Sequence, residues 1–206
     1  MTPPTVLILA AGTSSRMGRP KQLLEINGMT LLERTIRVAG GDWAGPRGQG
    51  EIVLCLGTDT PGLAAITERH PGVTVVHNPD PSTGMGRSLS LATAAASPTA
   101  SSYLVLLIDQ PDVSVDYLTR LYTAYAGVTP PCPCATAQGK YRRAGPPAIF
   151  PASFRERLLA ADGEYGARDL LRDPESGTLV LQPERELVDL DTPEEYMRYT
   201  GSNTTL

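Results

Sequence analysis

The sequence predicts an α/β fold with a Rossmann-like, doubly wound and mostly parallel sheet that carries a late antiparallel hairpin. Three observations predict it. Short runs rich in Val, Ile and Leu recur at residues 5–11, 51–57, 73–78 and 103–109. They are apolar almost throughout instead of alternating, as strands covered on both faces are. Helix-like stretches separate them, and the length of 206 residues suits one domain of this type better than two. Residues 1–200 are therefore read as one domain, with 201–206 as a flexible tail.

The elements follow in order. After the first run, Thr30 and Glu33 form a capping box, Leu32, Ile36 and Ala39 share a helix face, and Gly40-Gly41 stops that helix. The Pro/Gly-rich stretch 40–50 reads as a surface loop. Pro61 sits just inside a second helix, a third spans 84–96, and Ser114 caps a fourth running to about Tyr125. Right-handed crossovers between such units give an open sheet whose ligand site lies at the carboxyl ends of its strands. Residues 135–138 and 147–150 flank a glycine-containing turn and read as a hairpin added at or near the sheet edge. Helices are expected at 153–161 and 167–172, strands at 178–182 and 186–190, and a final helix from Thr192-Pro193.

Composition removes several function classes. The net charge of −4, with acids and bases interspersed, is wrong for a bulk nucleic-acid binder. The first apolar run has no basic lead-in and is far shorter than the roughly 20 residues of a membrane span, so neither a signal peptide nor an anchor is expected. Three cysteines, Cys55, Cys132 and Cys134, do not make a disulfide framework and fit a reducing cytoplasm. Cys132-Pro133-Cys134 offers too few ligands for zinc and reads as a solvent-facing strand start.

The chemistry concentrates after the first strand, in Leu9-Ala10-Ala11-Gly12-Thr13-Ser14-Ser15-Arg16-Met17-Gly18-Arg19-Pro20-Lys21. Small residues from Ala10 to Ser15 let backbone approach a ligand, and successive amides in such a turn make an anion-binding nest. Arg16 adds a fork and Lys21 a point charge suited to a polyphosphate. Both common rivals fail on spacing. Arg19 follows Gly18 where a P-loop needs lysine, and Ser14 and Met17 occupy positions where a dinucleotide fingerprint needs glycine.

This segment resembles the signature of the MobA-like nucleotidyltransferases, and Pro20-Lys21-Gln22-Leu23-Leu24 resembles their molybdenum cofactor cytidylyltransferase branch. The resemblance implies the nucleotide-diphospho-sugar transferase type of fold. It implies a loop that wraps a nucleoside triphosphate through Leu9, Ala10, Ala11, Gly12 and Ser14, with Arg16 and Lys21 as charge-neutralising catalytic residues. Ala10-Ala11-Gly12, where the guanylyltransferase relatives carry Ala-Gly-Gly, leans towards CTP.

Asp109 ends a central strand, where a carboxylate faces the ligand crevice, and Mg²⁺ takes one or two carboxylates plus phosphate oxygens. Asp109 is thus the first metal candidate, and Asp109-Gln110-Pro111 matches the family's metal-binding aspartate. Asp189-Leu190-Asp191-Thr192-Pro193 resembles the family's late acidic segment, and Asp191 is expected in preference to Asp189, although Thr192 and Glu195 also form a capping box there. The glycines of Gly84-Met85-Gly86-Arg87-Ser88 precede a helix, which puts Gly84 and Ser88 at its N-terminus; the resemblance implies that this segment lies beside the nucleobase and that Asn78 lines the pocket. Residues 145–150 and 163–171 resemble acceptor-side segments, but Pro146 and Glu164 depart from that branch's usual His and Asp. The implied reaction is in-line attack of an acceptor phosphate on the α-phosphorus of Mg-bound CTP, the acceptor being molybdopterin-type molybdenum cofactor and a molybdoenzyme apoprotein a further partner. GTP, another phosphorylated acceptor, or a scaffold turned oxidoreductase or cofactor chaperone stand as alternatives.

Overall fold

The computed structural model describes residues 2–44, 50–57, 62–164 and 166–201. The chain starts with β1 (Thr5–Ala10), a short hairpin of β2 (Glu25–Ile26) and β3 (Met29–Thr30), and α1 (Leu31–Ala39). Next come β4 (Ile52–Gly57), α2 (Leu63–Glu68), β5 (Val73–Asn78), α3 (Met85–Ala95), β6 (Ser102–Leu107) and α4 (Val115–Ala126). The last part holds β7 (Cys134–Gln138), β8 (Arg143–Pro151), α5 (Arg155–Leu159), α6 (Ala167–Arg172), β9 (Leu179–Leu181) and α7 (Pro193–Thr200). The expected placement of Pro61, residues 45–49 of the 40–50 loop and the tail beyond Gly201 lie outside the described residues.

Seven strands form one sheet in the order β5-β4-β1-β6-β8-β7-β9. β1 pairs in parallel with β4 and β6, and β4 with β5. β8 runs antiparallel to both β6 and β7, while β9 pairs in parallel with β7. The hairpin is thus inserted against β6 and does not end the sheet; β9 is the edge on that side and β5 the edge on the other. The reading of residues 186–190 as a strand is not borne out. That segment has no ladder partner, and its Leu190 amide donates to the carbonyl of Asp109, two residues beyond β6, at 2.9 Å.

The two-residue period of the strands explains the layers. Val6, Ile8, Ile52, Leu54, Leu104 and Leu106 face one side, where Leu32 and Ile36 of α1 and Leu118 and Leu121 of α4 cover them. Leu7, Leu9, Val53, Tyr103 and Val105 face the other, under Leu89 and Ala92 of α3, Leu158 of α5 and Leu171 of α6. Each such Leu or Ile contributes roughly 1.5–3 kcal/mol by leaving water. Cys134 corrects the solvent-facing reading of its motif: it opens β7 fully buried, and burial, then Cys132, pushes its thiol up to about 12. Among the described residues no helix is long and apolar enough to cross a membrane.

Candidate active site

The winding reverses at β1. The chain steps outward to β4 and β5, then returns to β6 on the other side, so a crevice opens at the carboxyl ends of β1 and β6. A cavity of about 350 Å³ lies there. Leu9, Ala10, Ala11, Gly12, Ser14, Arg16 and Lys21 line it from the loop after β1, Asp109 from the end of β6, and Gly84 and Ser88 from the start of α3.

Side chains away from the ligand face pin the loop. Met17 is buried with Leu24, Ile26, Leu31 and Leu190. Ser14, with φ of 54°, accepts the Met17 and Gly18 amides on its carbonyl at 2.9 and 3.2 Å, and the Lys21 amide on Oγ at 3.0 Å. A non-glycine residue there stores local strain, which packing on both sides holds in place. Buried Gln22 completes the hold, donating from Nε2 to the Ala10 carbonyl at 2.6 Å and the Gly12 carbonyl at 3.4 Å. Sequence reading assigned Gln22 no role, because a side chain that serves backbone carbonyls leaves no pattern.

Two carboxylates converge on one cation. Lys21 Nζ donates to Asp191 Oδ1 at 2.5 Å and to Asp109 Oδ2 at 3.3 Å, and Arg16 Nη2 lies 3.0 Å from Asp191 Oδ2. The Lys21 side chain is only 12 % exposed, whereas Arg16 is 68 % exposed and its pair counts for little. Burial opposes ionisation of Asp191, but the Lys21 hydrogen bond and charge, with Arg16, outweigh it and hold the carboxyl below its ordinary range. Asp109 Oδ1 is buried and has no hydrogen-bond partner among the described residues. An unmet buried acceptor of this kind costs about 1–3 kcal/mol and marks a place for a further donor or cation. Among the described residues no three His, Cys, Asp or Glu side chains are grouped to hold a metal. Two carboxylates awaiting phosphate oxygens are nonetheless a donor set that suits Mg²⁺.

The late acidic segment reaches the site because Leu190 is buried beside Met17, in the cluster that pins the loop. The capping box forms as expected, Glu195 accepting the Thr192 and Asp191 amides at 2.9 Å, and it leaves the Asp191 side chain free to face Lys21. Asp189 points elsewhere in the same cavity, with Oδ1 accepting from Gln110 Nε2 at 2.9 Å. Burial first, and the Asp109 charge second, raise the Asp189 pKa. A carboxyl whose pKa is raised in the fold is destabilising once ionised, and has no such effect below its unfolded pKa. Asp189→Asn is therefore expected to raise the melting temperature at pH 7, with the gain vanishing below about pH 4. A lower melting temperature at pH 7 would contradict this assignment.

Asn78 departs from expectation. It is fully buried and does not line the cavity. Its Nδ2 donates to Ser88 Oγ at 3.0 Å and its Oδ1 accepts the Asp80 amide at 3.0 Å, so it positions Ser88 from behind. Gly84 has φ of 106°, and a Cβ there would lie 2.3 Å from the Gly163 carbonyl oxygen. Segment 162–164 sits on the N-terminus of α3 at this point, the Gly86 amide donating to the Gly163 carbonyl at 2.9 Å. Gly84→Ala combines a forbidden conformation with a backbone clash and should cost at least about 3 kcal/mol; urea unfolding measures it. Of the acceptor-side departures, Glu164 lines the cavity. Pro146 is buried, its carbonyl accepting from Gln110 Nε2 at 3.2 Å.

A switch-point cavity with a small-residue loop, two loop cations and a carboxylate pair defines a nucleotidyltransferase. The chain belongs to the MobA-like NTP transferase family, whose domain model matches residues 6–179. It is 34% identical over 175 residues to nicotine blue oxidoreductase of Paenarthrobacter nicotinovorans, covering 82% of this chain and 81% of that one. It is 29% identical to purine catabolism protein PucB of Bacillus subtilis, covering 92% of each. Among solved structures it is similar to Rv0371c of Mycobacterium tuberculosis in complex with manganese, at 27% identity and a TM-score of 0.75, covering 98% of this chain and 100% of that one.

Proposed function

We propose that the protein is a cytoplasmic, Mg²⁺-dependent cytidylyltransferase that moves CMP from CTP to the phosphate of a molybdopterin-type molybdenum cofactor. The observation that carries this reading is the convergence of Arg16, Lys21, Asp109 and Asp191 beside the loop after β1. An oxygen of the acceptor phosphate forms a bond to the α-phosphorus while the bond to the pyrophosphate oxygen breaks. That phosphate is already anionic at neutral pH, so the protein supplies position and positive charge and no base. Arg16 and Lys21 meet the leaving pyrophosphate, which requires Lys21 to turn from the carboxylates to the nucleotide. Asp109 and Asp191 would hold Mg²⁺, which when bound supplies charge neutralisation between the α-phosphate and the leaving group; the manganese complex of the solved neighbour supports a divalent ion.

The choice of CTP draws on Ala10-Ala11-Gly12, which lines the cavity and stands where the guanylyltransferase relatives carry Ala-Gly-Gly. The choice of acceptor draws on the resemblance of 20–24 and 163–171 to the molybdenum cofactor branch, and a molybdoenzyme apoprotein is the recipient that fits such a product. Pyrophosphate release with each nucleoside triphosphate, Mg²⁺ and molybdenum cofactor tests both choices. CTP should be used at least about tenfold better than GTP, and activity with GTP alone would overturn the CTP assignment.

The 34% identity to nicotine blue oxidoreductase favours a second reading, an oxidoreductase on the same scaffold. A hydride transfer has no need of paired carboxylates, so the cavity supports it less. Oxidation of NADH or NADPH in the presence of nicotine blue, with no pyrophosphate release from any triphosphate, is the result that would favour it.

A further inference from the structure

Three basic side chains line the cavity, and they arrive from two directions. Arg16 and Lys21 come from the loop after β1, and both face Asp191. Arg168 comes from α6 and faces Asp189 instead, with Nη2 4.0 Å from Oδ2, too far for a hydrogen bond. Its Nε is buried and has no hydrogen-bond partner among the described residues. A guanidinium nitrogen withdrawn from water without an acceptor is costly, and a ligand oxygen would relieve that cost.

In-line displacement places the attacking oxygen across the α-phosphorus from the leaving group. With Arg16 and Lys21 on the leaving side, the incoming phosphate needs a cation of its own. The side from which Arg168 enters is otherwise acidic, since Glu164 and Asp189 line it, and a phosphate dianion would be repelled there without a positive partner. We infer that Arg168 is the binding residue for the acceptor's phosphomonoester, its fork taking two phosphate oxygens as the Asp189 contact is given up. The inference rests on the nucleotidyl-transfer reading above and adds the subsite that selects the nucleophile.

The test is a titration of inorganic phosphate into the protein saturated with CTP and Mg²⁺, in wild type, Arg168→Ala and Arg168→Lys. Wild type should bind phosphate, Arg168→Ala at least about tenfold more weakly and Arg168→Lys in between, since a point charge replaces the fork. CTP affinity should stay within about twofold of wild type in both variants, which also shows that they are folded. In turnover with molybdenum cofactor, Arg168→Ala should raise the acceptor KM and leave the KM for CTP unchanged. Equal phosphate binding in wild type and Arg168→Ala overturns the assignment, and so does a parallel loss of CTP affinity. Wild-type protein that binds no CTP overturns instead the functional reading beneath it.

Discussion

Asp109→Asn is expected to lower pyrophosphate release by about a thousandfold or more while the protein stays folded. The amide keeps the shape of the carboxylate and can accept from Lys21, so the end of β6 has no reason to rearrange. What is lost is the charge. Asp109 lines the nucleotide cavity, and its Oδ1 has no partner among the described residues, so the carboxylate is placed for a cation that an amide cannot hold well. Steady-state pyrophosphate release and a melting curve check both halves of this expectation. Turnover within about tenfold of wild type would remove Asp109 from the chemistry.

Lys21→Ala has the second large effect, and it works in two directions. Transfer should fall by about a hundredfold to a thousandfold, because the ammonium group no longer meets the leaving pyrophosphate. Mn²⁺ binding in the absence of nucleotide should become tighter. Lys21 bridges Asp109 and Asp191 at 3.3 and 2.5 Å, and its removal leaves two carboxylates facing each other with Arg16 as the remaining nearby cation. The Asp191 pKa should also rise, since Arg16 would then oppose burial without the help of Lys21. A calorimetric titration with Mn²⁺ separates the two effects. Unchanged or weaker Mn²⁺ binding would show that Lys21 does not compete for the metal position.

The parallel half of the fold was legible because burial on both faces writes itself as continuous apolar runs in β1, β4 and β6; β5, a half-exposed edge strand, showed through Val73, Val75 and Val76 instead, and all four fall within a residue or two of the expected bounds. The strand expected at 186–190 failed for a physical reason. Val188 and Leu190 alternate as a strand would, but Leu190 is buried against the Met17 loop and not in the sheet, and alternation alone cannot separate these cases. The cavity-lining loop was legible because small residues followed by two cations at fixed spacing suit a polyphosphate and little else. Asn78 was misplaced because a polar residue at a strand end reads the same whether it faces the ligand or supports Ser88 from behind. Gln22 and Arg168 fell inside segments that carried the resemblance, 20–24 and 163–171, but drew no role of their own, because what each side chain touches is set by the folded loop and by α6 and not by local pattern.

Transfer of label from CTP tests the central claim most directly. With Mg²⁺ and molybdenum cofactor, radioactivity in the α-phosphate should appear in the acceptor product, and radioactivity in the γ-phosphate should leave as pyrophosphate. Retention of the α label in CTP, with no other triphosphate able to replace it, or γ label recovered in the acceptor, would contradict nucleotidyl transfer.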